Sequence, residues 1–216
     1  MVERLNRRPF CSGAPLISTG HALRMPRQTI EKCLRQPVIP VVWDPTKHID
    51  LIGRASMVIM QGGSLADVPR ALDRFAEQKL STLALFAHID LISGLENSEA
   101  ALDYLAEFNR FAGIVTVHHY LAKPARRLGL LSIVRLFLSD SRAVERGVAV
   151  ATKSQADAIE ILPAVAAVKV ANDLNRCPVP RIGGGLCHTE ADVREALNSG
   201  CRSVTSTRPE LWELNS

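Results

Sequence analysis

Arg181-Ile-Gly-Gly-Gly-Leu-Cys-His-Thr-Glu-Ala-Asp192 reads as one complete strand, turn and helix start. Pro180 to Gly183 is a short strand-like run, and Gly183 to Gly185 permit a tight turn with positive φ. Thr189-x-x-Asp192 then has the spacing of a capping box, in which side chains satisfy the orphan N–H groups of a new helix. Outward from this unit the same alternation recurs. Short apolar runs rich in β-branched residues precede this one at Val38 to Val42, Met57 to Met60, Thr82 to Phe86, Gly113 to Val117, Ser132 to Leu136 and Ala158 to Leu162, and a last one follows at Arg202 to Thr205.

The segments between these runs have helical period and helix-start chemistry. Asp44-Pro45 supplies an N-cap with proline at the first helical position, and Ser64-x-x-Asp67 repeats the capping-box spacing. Near-continuous apolarity suits strands covered on both faces. Eight strands, each followed by a helix, close most simply into an α/β fold of the (β/α)8 barrel type, with an open doubly wound sheet as the competing arrangement.

At 216 residues, with 47% hydrophobic and 22% charged residues, the chain has the composition of one globular domain. A net charge of +4 permits RNA contact without pointing to it. Five cysteines without paired spacing indicate neither zinc nor a disulfide framework, and read as reduced cytosolic thiols. Arg7-Arg8-Pro9-Phe10 resembles the start of a twin-arginine signal but lacks the apolar segment that should follow, and no run approaches the roughly 18 residues that span a bilayer. The expectation is a cytoplasmic protein that makes no membrane contact.

Residues 1–35 are Arg-rich, with Pro and Gly and no convincing period, and read as a poorly ordered extension to a barrel domain at 36–216. Met25 offers an alternative start.

In a barrel of this type the residues at the C-terminal strand ends line the site. The turn at Gly183, Gly184 and Gly185 brings backbone close to a ligand, and the helix start beyond it is expected to present free N–H groups to an anion. Thr205 and Ser206 end the last strand and add hydroxyls, so the two loops together make a candidate phosphate site; the competing reading is a plain tight turn. Asp90 follows the third strand, Thr116 and Arg135 lie late in the fourth and fifth, and Glu160 sits inside the apolar sixth. A charge in an apolar strand needs a partner or a polar cavity, so Arg135 and Glu160 are expected to meet in the mouth, as a structural ion pair or as ligand contacts. His88, His118, His119 and His188 have no metal spacing and are expected at the surface or in ordinary hydrogen bonds. No lysine ends a strand, which argues against Schiff-base chemistry. Lys123, Arg126 and Arg127 form a basic cluster, more in keeping with a solvated helix face than with RNA phosphates.

Phe86-Ala-His-Ile-Asp-Leu-Ile-Ser-Gly94, Gly113-Ile-Val-Thr116, Arg135-Leu-Phe-Leu-Ser-Asp-Ser141, Ile159-Glu-Ile-Leu-Pro163, Gly184-Gly-Leu-Cys-His-Thr-Glu-Ala-Asp-Val193 and Val204-Thr-Ser-Thr-Arg-Pro-Glu-Leu-Trp212 resemble, in order, the blocks of the glycerol-3-phosphate responsive antiterminators. The resemblance implies a barrel regulator, not an enzyme and without a cofactor. It would sense glycerol 3-phosphate and act on a leader mRNA to let polymerase into glycerol metabolism genes. On that view Gly184, Gly185, Thr205 and Ser206 hold the phosphate, while Asp90, Arg135 and Glu160 face the glycerol end or organise the mouth. The chain departs from the family pattern at Val117 and His118, where a hydroxyl and a basic residue are usual, and at Val134, Ala164 and Gly183. Two alternatives stay open: a barrel enzyme on a phosphorylated three-carbon substrate with Asp90 or Glu160 as base, and a sensor that acts through a protein partner. Self-association into a homo-oligomer is also compatible with the sequence.

Overall fold

In a computed structural model that describes residues 29–76 and 80–216, eight parallel strands close in chain order into a barrel. They are β1 Val38–Val42, β2 Met57–Met60, β3 Ala84–His88, β4 Phe111–Thr116, β5 Leu131–Phe137, β6 Ala158–Leu162, β7 Arg181–Gly184 and β8 Ser203–Ser206. β8 pairs with β1, with Val38 opposite Val204, which removes both sheet edges. The open doubly wound sheet is thereby excluded. Every strand lies within two residues of its expected bounds.

The outer layer contains α2 Ile49–Ile52, α3 Val68–Ala76, α4 Glu99–Glu107, α5 Ala122–Arg127, α6 Ser141–Lys153, α7 Ala164–Lys169, α8 Ala171–Leu174, α9 Glu190–Asn198 and α10 Pro209–Trp212. Asp44 caps the turn Pro45–His48 through the Thr46 amide, and Thr189 and Asp192 form the expected capping box at α9. Ser64 behaves differently. Its hydroxyl donates to Asp67 at 2.6 Å and does not cap the backbone.

Alternate residues of each strand point inward. Ile39 and Val41, Met57 and Ile59, Ala84 and Phe86, Val115, Ile133, Ala158 and Ile182 form one buried cluster, the barrel interior. Gly113 is required there, because a Cβ would collide with the ring of Phe86. Outward residues such as Val58, Leu85, Ile114, Val134, Ile161 and Val204 pack with the helices in a second cluster. One further step of the inward period carries polar groups on three strands to the same end. Two residues beyond Phe86 stands His88, two beyond Ile133 stands Arg135, and two beyond Ala158 stands Glu160. The apolar interior is thus roofed by a polar layer at the C-terminal mouth.

The other end is closed by α1, Ile30–Cys33, whose Ile30 and Cys33, with Leu34, are buried in the interior cluster. Ile30, Cys33 and Leu34 fall in the segment expected to be a poorly ordered extension, yet they belong to this plug. Residues 1–28, Met25 included, lie outside the described residues. The C-terminal segment locks the seam. Asn215 is fully buried, accepts from Val38 N at 3.0 Å and donates to Val38 O at 2.8 Å.

Candidate functional site

The mouth of the barrel holds a cavity of about 340 Å³. Its floor is apolar, formed by Val41, Ile59 and Val115, and its walls carry Gln61, His88, Arg135, Glu160, Thr205 and Ser206. The loop after β7 contributes Gly185 to His188, and the end of β8 contributes Thr207 and Arg208.

Arg135 and Glu160 face each other in register across β5 and β6. Arg135 Nε donates to Glu160 Oε2 at 2.7 Å, and the carboxylate is almost fully buried. Thr205 donates its hydroxyl to Glu160 Oε1 at 2.6 Å. On the other side Arg135 Nη1 lies 2.9 Å from His88 Nε2. A guanidinium has no acceptor, so His88 Nε2 must accept and the ring proton must reside on Nδ1. Burial, reinforced by the Arg135 charge and opposed by Asp90, lowers the His88 pKa to about 4. The imidazole is therefore neutral near pH 7, and its buried Nδ1 has no partner among the described residues. A continuous polar chain, His88 to Arg135 to Glu160 to Thr205, crosses the mouth from β3 to β8.

Gly184 lacks a side chain for a visible reason: a Cβ there would run into Glu160 Oε1 and lie 2.9 Å from Thr205 Oγ1. Gly185 has φ +70°, the left-handed region that favours glycine, and borders the cavity. Gly183 faces outward instead, its would-be Cβ 3.2 Å from Ala164 and 3.5 Å from Ala196. Its role is close packing of β7 under α7 and α9, which corrects the expectation that all three glycines border the ligand.

A second correction concerns α9. The amides of His188 and Thr189 both donate to Asp192 Oδ2 at 2.8 Å, and Asp192 N donates to Thr189 Oγ1. Those N–H groups were expected to be open to an anion, but a carboxylate of the chain itself already occupies them. Positive charge comes to this rim from Arg208, which sequence reasoning did not single out. Its amide donates to Ser206 Oγ at 3.0 Å, and Trp212 Nε1 donates to Ser206 O, so α10 fixes the end of β8.

Asp90 and Thr116 form a separate unit. Thr116 Oγ1 donates to Asp90 Oδ1 at 2.6 Å, and Val117 N donates to Asp90 Oδ2 at 2.8 Å. Together they brace the β4 loop beside the cavity. Val117 and His118 lie outside the cavity lining; His118 packs against Tyr120 with ring centroids 5.5 Å apart. His88, expected at the surface or in a hydrogen bond, is hydrogen-bonded to Arg135 and buried in the mouth. The signal was present in its two-residue spacing from Phe86. Among the described residues no group of side chains is arranged to hold a metal ion, and no helix is long and apolar enough to cross a membrane.

The family model for glycerol-3-phosphate responsive antiterminators matches residues 38–212. The chain belongs to this family. A glycerol uptake operon antiterminator regulatory protein from Listeria monocytogenes has a similar structure, with a TM-score of 0.73 and 29% identity over 82% of this chain and 95% of that one. An antiterminator-related protein from Thermotoga maritima gives a TM-score of 0.70 at 24% identity, over 82% of this chain and 98% of that one, a likeness of fold. The uncharacterised protein YgcP of Escherichia coli is 32% identical over 129 residues, 60% of this chain and 68% of that one. The antiterminator family is one of regulators, and membership sets aside the enzymatic alternative.

Proposed function

We propose that this antiterminator binds glycerol 3-phosphate in the mouth cavity and acts on a leader mRNA of glycerol metabolism genes. The observation that carries the ligand half is the cavity itself: an apolar floor, a polar chain on one wall and a cationic rim on the other. Its volume of about 340 Å³ falls in the range of small-ligand pockets. The polyol end suits Arg135, Glu160, Thr205 and His88, which offer charged and neutral groups at hydrogen-bond distance of one another. The phosphate suits Gly185, Ser206 and Arg208 between the loops after β7 and β8, where a glycine lets backbone approach and a guanidinium supplies charge. Gly184 keeps the wall open, Gly183 supports it from behind, and Asp90 with Thr116 shapes the neighbouring loop.

The RNA half rests on family membership. Single-round transcription through the chain's own leader and terminator tests it. Read-through should rise when protein and glycerol 3-phosphate are both present; equal read-through with and without protein would refute it.

A further inference from the structure

Among the described residues, six of the seven exposed large apolar side chains, Leu91, Val117, Tyr120, Phe137, Val165 and Leu186, stand at or just beyond the C-terminal ends of β3 to β7; the seventh, Leu128, caps the end of α5. Scattered exposed apolar groups need no explanation, but a rim of them marks an interaction surface. Part of this rim forms a groove of about 280 Å³ between the β4–α5 loop and α6, bordered by Val117, His119, Phe137, Arg135 and Arg146. Phe137, the last residue of β5, is 62% exposed. The groove lining contains two arginines and no carboxylate. Asp90 in the adjoining loop has its oxygens engaged by Thr116 and Val117 N–H.

Arg135 belongs to both places. Its Nε and Nη1 serve Glu160 and His88 on the cavity side, while its guanidinium carbon lies 5.9 Å from the Phe137 ring centroid. A polyanion carrying flat apolar rings matches this combination of an exposed aromatic face, the exposed Arg146 beside it and no acid in the lining. Single-stranded RNA has that chemistry, because its unpaired bases stack on aromatics and its phosphates take arginine.

Resting on the function proposed above, we infer that this groove seats an unpaired base of the leader transcript on Phe137, with Arg146 on the neighbouring phosphate. Arg135 is the physical link to the ligand: a ligand that draws on the guanidinium in the cavity alters the support of the Phe137 ring. Coupling of this kind is reciprocal, so glycerol 3-phosphate and RNA must change each other's affinity by the same factor. Val117 borders the groove and not the cavity.

Fluorescence anisotropy with labelled single-stranded leader RNA, with and without glycerol 3-phosphate, tests the inference. Phe137→Ala should weaken RNA binding about 10-fold or more, and Phe137→Tyr should restore it, because stacking survives. Arg146→Glu should weaken binding and lower the salt slope by about one. Calorimetry of Arg146→Glu with glycerol 3-phosphate alone should give the wild-type affinity, showing an intact mouth. Wild-type RNA affinity in both groove variants would overturn this site and leave the regulator standing. No RNA binding by the wild-type chain would overturn both. Sedimentation showing that Phe137→Ala splits a dimer, with RNA affinity unchanged, would assign the groove to a second copy instead.

Discussion

Arg135→Met should destabilise the protein far more than Glu160→Gln, although the two remove opposite ends of one ion pair. Without the guanidinium, the Glu160 carboxylate, its side chain 4% exposed, keeps only Thr205 as a donor. Without the carboxylate, the Arg135 side chain, 17% exposed, sits at the open mouth with His88 Nε2 still within reach. Breaking a buried pair from the side that strands the deeper charge costs about 3–5 kcal/mol. Glu160→Gln retains an amide oxygen for Thr205 and should cost about 1–2 kcal/mol. At about 2–4 °C per kcal/mol for a chain of this size, Arg135→Met should lower Tm by about 6–20 °C. The double variant should recover about 2 kcal/mol relative to additivity, because the stranded carboxylate is gone. Urea unfolding at pH 7, followed by tryptophan fluorescence, measures all three. A cost under about 1 kcal/mol for Arg135→Met, or a larger cost for Glu160→Gln, would refute the account of this pair.

His88 titrates near 6.5 when unfolded and at about 4 when folded, so between these values the unfolded chain holds the extra proton. Stability should fall by about 3 kcal/mol as pH drops through that window and be insensitive to this group above it. His88→Asn should flatten the fall by that amount, and identical slopes in variant and wild type would refute the assignment. Asn215→Leu strands both Val38 N and Val38 O in a buried seam and should cost about 2–4 kcal/mol in denaturant unfolding; an unchanged midpoint would show that β1 is held by other means. Thr205→Val keeps shape but removes a donor to a buried carboxylate, about 1.5–3 kcal/mol of stability in the same assay, and an unchanged midpoint would contradict the placement of that hydroxyl.

The barrel was legible because its strands are apolar on both faces and its turns carry their own chemistry. β3 was read two residues early, since His88 ends an apolar run in a segment that turns polar at Asp90. That shift concealed the buried histidine. Arg135 and Glu160 could be paired from sequence because an ion inside an apolar strand has few places to go. The anion-binding reading of α9 failed for a reason visible in the same residues. A capping box and an open anion site compete for the same amides, and Asp192 is covalently present. The plug at Ile30–Cys33 was missed because one helical turn is too short to establish a period. Asn215 acts through a contact set by chain closure, with a residue 177 positions away, and nothing local to it announces that partner.

Calorimetric titration of the wild-type chain with glycerol 3-phosphate, glycerol and inorganic phosphate tests the mouth site most directly. The phosphorylated polyol should bind with Kd of about 1 mM or tighter, at least about −4 kcal/mol. Glycerol and phosphate, each satisfying one wall of the cavity, should bind more weakly. Saturation by glycerol 3-phosphate in the wild type, lost in Arg208→Ala, is the predicted result. No heat of binding at millimolar ligand, or equal affinity for glycerol and glycerol 3-phosphate, would contradict it.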